Sequence, residues 1–353
     1  MASTPTTTTN DRARPSDGEL VDIMERMVAG QVYSTRCFNL QRQGRMGTMA
    51  PIDGSEALVA GAASALDPAT DWVFPQYREQ YALGRFGDEL IDGVVLYNMG
   101  HPGGGRYAED VHVFPFQISL ACQLPHAVGM AWGMKVKGEP GCVLTFFGDG
   151  SSSEGDFYEA ANLAGVLAAP VIFVLVNNGW AISTPTDSQT GAESFAAKAH
   201  AFGFPGVQVD GRDPLAVRRV VAEARERAVG GQGPMLIEAV TVRHGPHTTA
   251  DDPTRYRTAD ELARARAEEP IGRFEATLAE LGLWDDERRA ETERRAEERF
   301  DLAWERGQAA AADLDPAAAL FEHVYAEPTG RMIRQQAELR AHLAAQRERG
   351  GAR

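Results

Sequence analysis

Residues 143–179 read VLTFFGDGSSSEGDFYEAANLAGVLAAPVIFVLVNNG. Val143 to Phe147 reads as a buried strand, apolar but for Thr145, and Gly148-Asp149-Gly150 is the turn that follows it. A helix opens near Glu154 and carries an apolar stripe through Phe157, Ala161 and Ala164 to Leu167. Val171 to Val176 is a second apolar strand, closed by Asn177-Asn178-Gly179. Strands without polar alternation, joined by a helix, belong to parallel sheets covered on both faces. The expected fold class is therefore α/β, a mostly parallel sheet between two layers of helices.

The pattern continues outward. A helix is expected over 193–202, then a short strand from Val207 to Val209. Asp213 has the form of an N-cap with Pro214 in the first helical position, and Gly230-Gly231 stops the helix they open. Met235 to Val242 reads as a further strand. Upstream, Leu20, Ile23, Met24 and Met27 predict a helix from Glu19 to Leu40, and 44–140 mixes helical fragments with Gly- and Pro-containing loops. Residues 1–18 are expected to be a flexible tail, 19–257 the α/β domain, and 258–353 a helical extension rich in Ala, Glu and Arg. That extension would pack on the domain or on a partner subunit. Its charge run from Glu293 to Arg299 reads as a solvated face stitched by ion pairs.

The 353 residues carry a formal charge of −15, which argues against broad nucleic-acid binding and against an anionic membrane surface. The cysteines Cys37, Cys122 and Cys142 lack metal-ligand spacing and read as reduced thiols. No apolar run approaches the roughly 20 residues a membrane helix needs, so a cytoplasmic enzyme is the expected class.

In an open parallel sheet, ligands bind beyond the carboxyl ends of the strands. Asp149 and Asn178 both stand there, 29 residues apart, the length of one strand–helix–strand unit. If the two strands are neighbours, a carboxylate and an amide meet at one edge. Hard oxygens of this kind suit Mg²⁺, which usually shares its site with phosphate. Gly148 and Gly150 would let the backbone turn sharply and approach the ligand, and the amides opening the next helix would face the same anion. Either tripeptide alone is an ordinary turn; the pair, each after an apolar strand, is specific.

Gly148-Asp149-Gly150 followed by Asn177-Asn178 resembles the thiamine diphosphate motif, and the surrounding text resembles the alpha subunit of the decarboxylating first component of 2-oxoacid dehydrogenase complexes. The likeness runs from about residue 20 to 343. It includes Gln41 to Arg45, Phe74-Pro75-Gln76-Tyr77-Arg78-Glu79, Gln123-Leu124-Pro125 with Ala127 to Gly129, and His247 to Asp252. That last segment and the string from Trp180 to Pro185 are most similar to the branched-chain 2-oxoacid enzyme, with pyruvate enzymes next and acetoin enzymes third.

The resemblance implies a thiamine diphosphate-binding fold and roles at matching positions. Asp149, Asn178 and the Trp180 carbonyl would hold Mg²⁺ on the diphosphate. Tyr77, Arg78, Gly148, Gly150, Ser151 and Arg243 would bind the cofactor, with Leu120 against its aminopyrimidine. His247 would bind the cofactor and assist the chemistry near the reacting carbon, whereas His244 reads as simply exposed. Thr248 stands where mitochondrial relatives carry a regulatory serine, so a phosphate there would add charge beside the diphosphate. Three positions depart from the pattern. Val176 replaces a phosphate-binding arginine, for which Arg106 is a possible substitute. Gln80 replaces a histidine of some relatives. Cys122 replaces a threonine of a monovalent-cation site.

The activating glutamate of this family belongs to a beta subunit. The chain is thus expected to form a heterotetramer of two alpha and two beta subunits and to pass its acyl product to a lipoyl-bearing dihydrolipoyl acyltransferase. The expected reaction is oxidative decarboxylation of branched-chain 2-oxoacids, with pyruvate or acetoin as alternatives. A non-catalytic scaffolding homologue would keep the fold without the cofactor. A Mg²⁺–nucleotide enzyme would need a Gly-Lys-Ser/Thr phosphate loop or a dinucleotide fingerprint after the right strand, and neither is present.

Overall fold

A computed structural model describes residues 14–350. Helix α1 (Asp17–Arg42) opens it. The Ser16 hydroxyl accepts from the Glu19 amide while the Glu19 carboxylate accepts from the Ser16 amide, a reciprocal N-terminal cap. The helix therefore starts two residues before Glu19, because capping residues carry no apolar signal. Of the tail expected over 1–18, residues 1–13 lie outside the described residues.

Next come α2 (Glu56–Ser64), strand β1 (Trp72–Phe74), α3 (Leu90–Asn98) and α4 (Gln123–Lys137). The motif region follows as β2 (Val143–Gly148), α5 (Gly155–Leu167) and β3 (Val171–Asn177), then a small ribbon of β4 (Trp180–Ala181) and β5 (Thr184–Pro185). Strand β6 (Gly206–Asp210), helix α6 (Pro214–Val229) and strand β7 (Met235–Val240) complete the sheet. Its order is β1-β2-β3-β7-β6, and every pairing is parallel.

Alternate residues of each strand feed opposite cores. Leu144, Phe146, Ile172, Val174 and Ile237 pack with Val217, Val221 and Ala224 of α6. Val143, Phe147, Val171, Phe173 and Leu175 pack on the other side with Leu124 and Ala127 of α4 and with Phe157 and Ala161 of α5. Helices cover both faces, which is why the strands lack polar alternation. Asp213 caps α6 as its sequence indicates, accepting from the Leu215 and Ala216 amides at 2.9 and 3.1 Å, a contact worth about 1 kcal/mol.

Two elements differ from expectation. The helix anticipated over 193–202 is a 3₁₀ helix, Ala196–Phe202, tethered where the Ala196 amide donates to Glu238 and ended by Gly203 at φ 82°. Strand β7 stops at Val240 rather than Val242, where the Thr241 hydroxyl turns to donate to the Gly54 carbonyl.

Beyond β7 lie α7 (Ala259–Ala267), α8 (Pro270–Glu280), α9 (Asp286–Asp313), α10 (Pro316–Ala319) and α11 (Gly330–Gly350). Ile271, Phe274 and Leu278 of α8 join Leu20, Ile23, Met24 and Met27 of α1 in a third cluster, and Phe300 and Ala303 of α9 reach the main core. On the outer face of α9, Arg294 pairs with Glu291 and Glu298 at 2.7 and 2.5 Å. No helix among the described residues is long and apolar enough to cross a membrane.

Buried at the start of α2, Glu56 accepts from the Gly54 amide at 2.8 Å. Burial first, then the neighbouring Asp53, pushes its carboxyl from 4.5 up to about 8. An acid whose folded pKa is raised favours the folded state while protonated, so its contribution is complete below about 4.5 and drains as pH climbs to about 8. The slope is about 1.4 kcal/mol per pH unit. Glu56→Gln keeps the acceptor without the titration. Urea midpoints between pH 5 and 8 should fall less steeply for the variant; identical slopes would remove Glu56 as their source.

Candidate active site

The register places the motif residues. Gly148 at the end of β2 pairs with Val176, Asn177 of β3 pairs with Val240, and the Asp149 amide donates to the Val176 carbonyl at 3.2 Å. Asp149 and Asn178 therefore stand at one carboxyl edge, as their spacing indicated. Both line a cleft of about 730 Å³ together with Gly148, Gly150, Ser151 and Trp180. Neither glycine adopts a left-handed backbone, so neither is needed for a strained turn. Gly150 is required because a Cβ there would sit 2.8 Å from that of Ala181, so the β4 ribbon closes directly over the turn.

Asp149 is 2% exposed. Its Oδ2 accepts from Gln189 Nε2 at 2.8 Å, a neutral donor, and burial outweighs that bond and pushes its carboxyl above the usual range. The Asn178 Oδ1 accepts from the Trp180 amide at 3.2 Å, which folds the turn so that side chain and backbone share the cleft. No cluster of three or more His, Cys, Asp or Glu fit for a metal occurs among the described residues. A cation here would have to take a mixed set of one carboxylate, one amide and a carbonyl, which suits a hard ion that keeps open positions for phosphate and water.

The same cleft is also lined by Tyr77, Arg78 and His247. Arg78 is buried and multiply held: Nη1 donates to the Pro51 carbonyl at 2.6 Å, and Nη2 donates to the His247 carbonyl at 2.7 Å and to its Nδ1 at 2.8 Å. A guanidinium has no lone pair to offer, so Nδ1 must be the acceptor. His247 is thus neutral with its proton on Nε2. Burial, then Arg78 and Arg243, pushes its pKa from 6.5 down to about 3. The Tyr77 ring meets the imidazole edge-on at 6.1 Å between centroids.

Leu120 lines the cleft and is 40% exposed, and the next residue, Ala121, is left-handed at φ 62°. Thr248 and Gln80 line it as well; Gln80 Nε2 donates to the Tyr77 carbonyl at 3.0 Å. Val176 contributes an apolar patch of wall. Arg106, the candidate substitute for the missing arginine, is exposed and is not part of the lining. Cys122 offers a thiol bonded to Gln117 Oε1 at 3.6 Å, and sulfur is a poor ligand for a hard monovalent cation. His244 is half-buried rather than exposed, and burial lowers its pKa.

Arg243 lies behind the cleft wall, not on it. Its guanidinium donates to the Trp180 carbonyl at 3.3 Å, the Ile182 carbonyl at 2.8 Å and the Tyr256 hydroxyl at 2.6 Å. Two glutamines escaped the residue reading. Gln76 Oε1 accepts from the Gly148 amide and the Ser151 hydroxyl, leaving its buried Nε2 without a protein partner. Gln189 donates to Asp149 and leaves Oε1 unpaired. Neither glutamine follows an apolar strand in a Gly-containing turn as Asp149 and Asn178 do; only adjacency to Tyr77 marked Gln76.

Residues 24–313 match the family model described as "Dehydrogenase E1 component". The chain belongs to the dehydrogenase E1 component family. It is similar to the pyruvate dehydrogenase E1 component subunit alpha of Staphylococcus epidermidis, with 44% identity over 289 residues covering 82% of this chain and 78% of the relative. It is likewise similar to the subunit of the same name from Staphylococcus aureus, with 45% identity over 282 residues covering 80% and 76%. This E1 chain is therefore of the 2-oxoacid dehydrogenase alpha type, and its family is thiamine diphosphate-dependent. The relatives carry the pyruvate name, not the branched-chain one that Trp180 to Pro185 and His247 to Asp252 suggested. Trp180, His247 and Thr248 line the same cleft as Asp149.

Proposed function

We propose that this E1 alpha chain binds thiamine diphosphate through Mg²⁺ and, with a beta subunit, decarboxylates pyruvate and passes the acetyl group to a lipoyl-bearing dihydrolipoyl acyltransferase. The observation that carries the reading is the buried Asp149 carboxylate at the end of β2, with Asn178 just past the end of the neighbouring β3, in a cleft that Arg78 also lines. Asp149, Asn178 and the Trp180 carbonyl are the cation ligands. Arg78 offers the diphosphate its positive charge and the N–H groups that Pro51 and His247 leave free, and the unpaired Gln76 Nε2 offers a further donor. Gly148, Gly150 and Ser151 bring backbone close to the anion, and Tyr77 and Leu120 supply the apolar sides. Arg243 acts on the cofactor indirectly, by holding the Trp180 carbonyl in place. Bound thiamine diphosphate supplies the electron sink for decarboxylation. His247, neutral near pH 7, presents an Nε2 proton that can be donated or shared at the reacting centre.

The pyruvate names of the relatives favour that substrate over branched-chain 2-oxoacids. The chain combined with its beta partner, thiamine diphosphate and Mg²⁺ should turn over pyruvate, read with an artificial electron acceptor. Its kcat/KM should exceed that for 2-oxoisovalerate or 4-methyl-2-oxopentanoate by at least about tenfold, within what apolar pockets discriminate. A preference for either branched acid would reverse the substrate assignment, and no turnover of any would favour a scaffold.

A further inference from the structure

Lys198 belongs to the 3₁₀ helix Ala196–Phe202 and is half-buried. Its ammonium donates to the Ser152 carbonyl and the Ser152 hydroxyl, each at 3.1 Å, and to the Tyr158 hydroxyl at 3.3 Å. The ring centroids of Phe195, Tyr158 and Phe157 lie 5.2, 5.5 and 5.9 Å from it. All of these partners are neutral. Aromatic faces and oxygens make a half-buried cation tolerable, but they do not cancel its charge.

Ser152 sits in the 3₁₀ turn Gly150–Ser153, which follows Asp149 and leads into α5. It is buried, whereas Gly150, Ser151 and Ser153 line the cleft. Neither Ser152 nor Lys198 is part of that lining, so the ammonium holds the turn from outside the cleft. Among the described residues, Arg78 is the sole lysine or arginine in the lining, while Asp149 brings a carboxylate. A ligand with two phosphoryl groups meets a wall short of positive charge. A half-buried ammonium one residue behind that wall is screened less than a charge in open water.

We propose that Lys198 is a positioning residue that fixes the 150–153 turn and lends it positive charge for the diphosphate. The service to the diphosphate rests on the function proposed above; the hold on the turn does not. Lys198→Met keeps an unbranched stem among the rings and removes the ammonium.

Amide hydrogen exchange of the cofactor-free enzyme with its beta partner tests the hold. Lys198→Met should speed exchange about tenfold in 150–156, with the core strands unchanged. With cofactor, its KM for thiamine diphosphate should rise about tenfold while kcat at saturation changes by less than about twofold. Inorganic diphosphate with Mg²⁺, titrated alone, should lose affinity by the same factor. Ser152→Ala removes one of the two contacts at the turn. It should move exchange and KM about threefold, and it decides the matter should Lys198→Met not fold. Tyr158→Phe removes the contact outside the turn and should move neither. Unchanged exchange in 150–156, acceleration spread evenly over the protein, or a loss carried by kcat rather than KM overturns the proposal. Should the wild type bind no cofactor, the functional reading falls while exchange in 150–156 still decides the hold on the turn.

Discussion

Asp149→Asn should weaken Mg²⁺-dependent binding of thiamine diphosphate at least about a hundredfold while leaving the melting temperature within a few degrees of the wild type. The reasoning separates charge from shape. Asparagine fills the same space at the tip of β2 and keeps an oxygen to accept from Gln189. What it lacks is the negative charge, and a hard divalent ion binds carboxylate far better than amide when it must shed water to do so. The fold has no stake in that charge. Burial already pushes the Asp149 carboxyl above its usual range, so the free protein bears a desolvation cost that the neutral amide relieves. Calorimetric titration with and without Mg²⁺, beside thermal unfolding, distinguishes the two effects. Unchanged affinity would remove Asp149 from the cation site, and collapse of the fold would show a structural role instead.

Arg78→Gln should also cost about a hundredfold in cofactor affinity, and it carries a second signature in His247. The wild-type guanidinium places two donors on carbonyls 196 residues apart in sequence and a third contact on the imidazole. Its charge is thus held in place beside the cleft rather than swinging in from solvent. Glutamine lacks that charge. Because burial is the largest cause of the depressed His247 pKa and Arg78 the second, the variant's histidine should titrate above about 3 yet still below 6.5. A group whose folded pKa is depressed contributes stability above its unfolded value and loses it as pH falls. The wild-type contribution therefore drains from about pH 6.5 toward 3, and Arg78→Gln should shrink that loss. Imidazole NMR resonances followed from pH 7 to 4 read this, and a His247 titration unmoved by the substitution would show that Arg78 does not set its state.

The parallel sheet and its two helical layers were legible because β2, β3 and β7 are buried on both faces and so wrote long apolar runs. Strand β1 was not, since three residues cannot display a period. Asp149 and Asn178 were legible as a pair because strand–helix–strand spacing brings them to one edge. Gln76, Gln189 and Lys198 were not, because their importance lies in who accepts from whom across 40 to 72 residues of chain. Arg243 was noticed for its place after β7, but only the fold shows that its donors are spent on the 180–182 turn. The substrate was the least legible part: the strings most similar to the branched-chain enzyme are short, and the relatives matched over most of the chain carry the pyruvate name.

Replacing Mg²⁺ with Mn²⁺ and locating the ion by anomalous scattering, in crystals of the alpha–beta enzyme grown with thiamine diphosphate, bears on all of this at once. One peak should appear at about 2.1–2.3 Å from the Asp149 carboxylate, the Asn178 Oδ1 and the Trp180 carbonyl, with diphosphate oxygens completing its shell. Manganese bound elsewhere, or a diphosphate seated away from these three oxygens, would contradict the account.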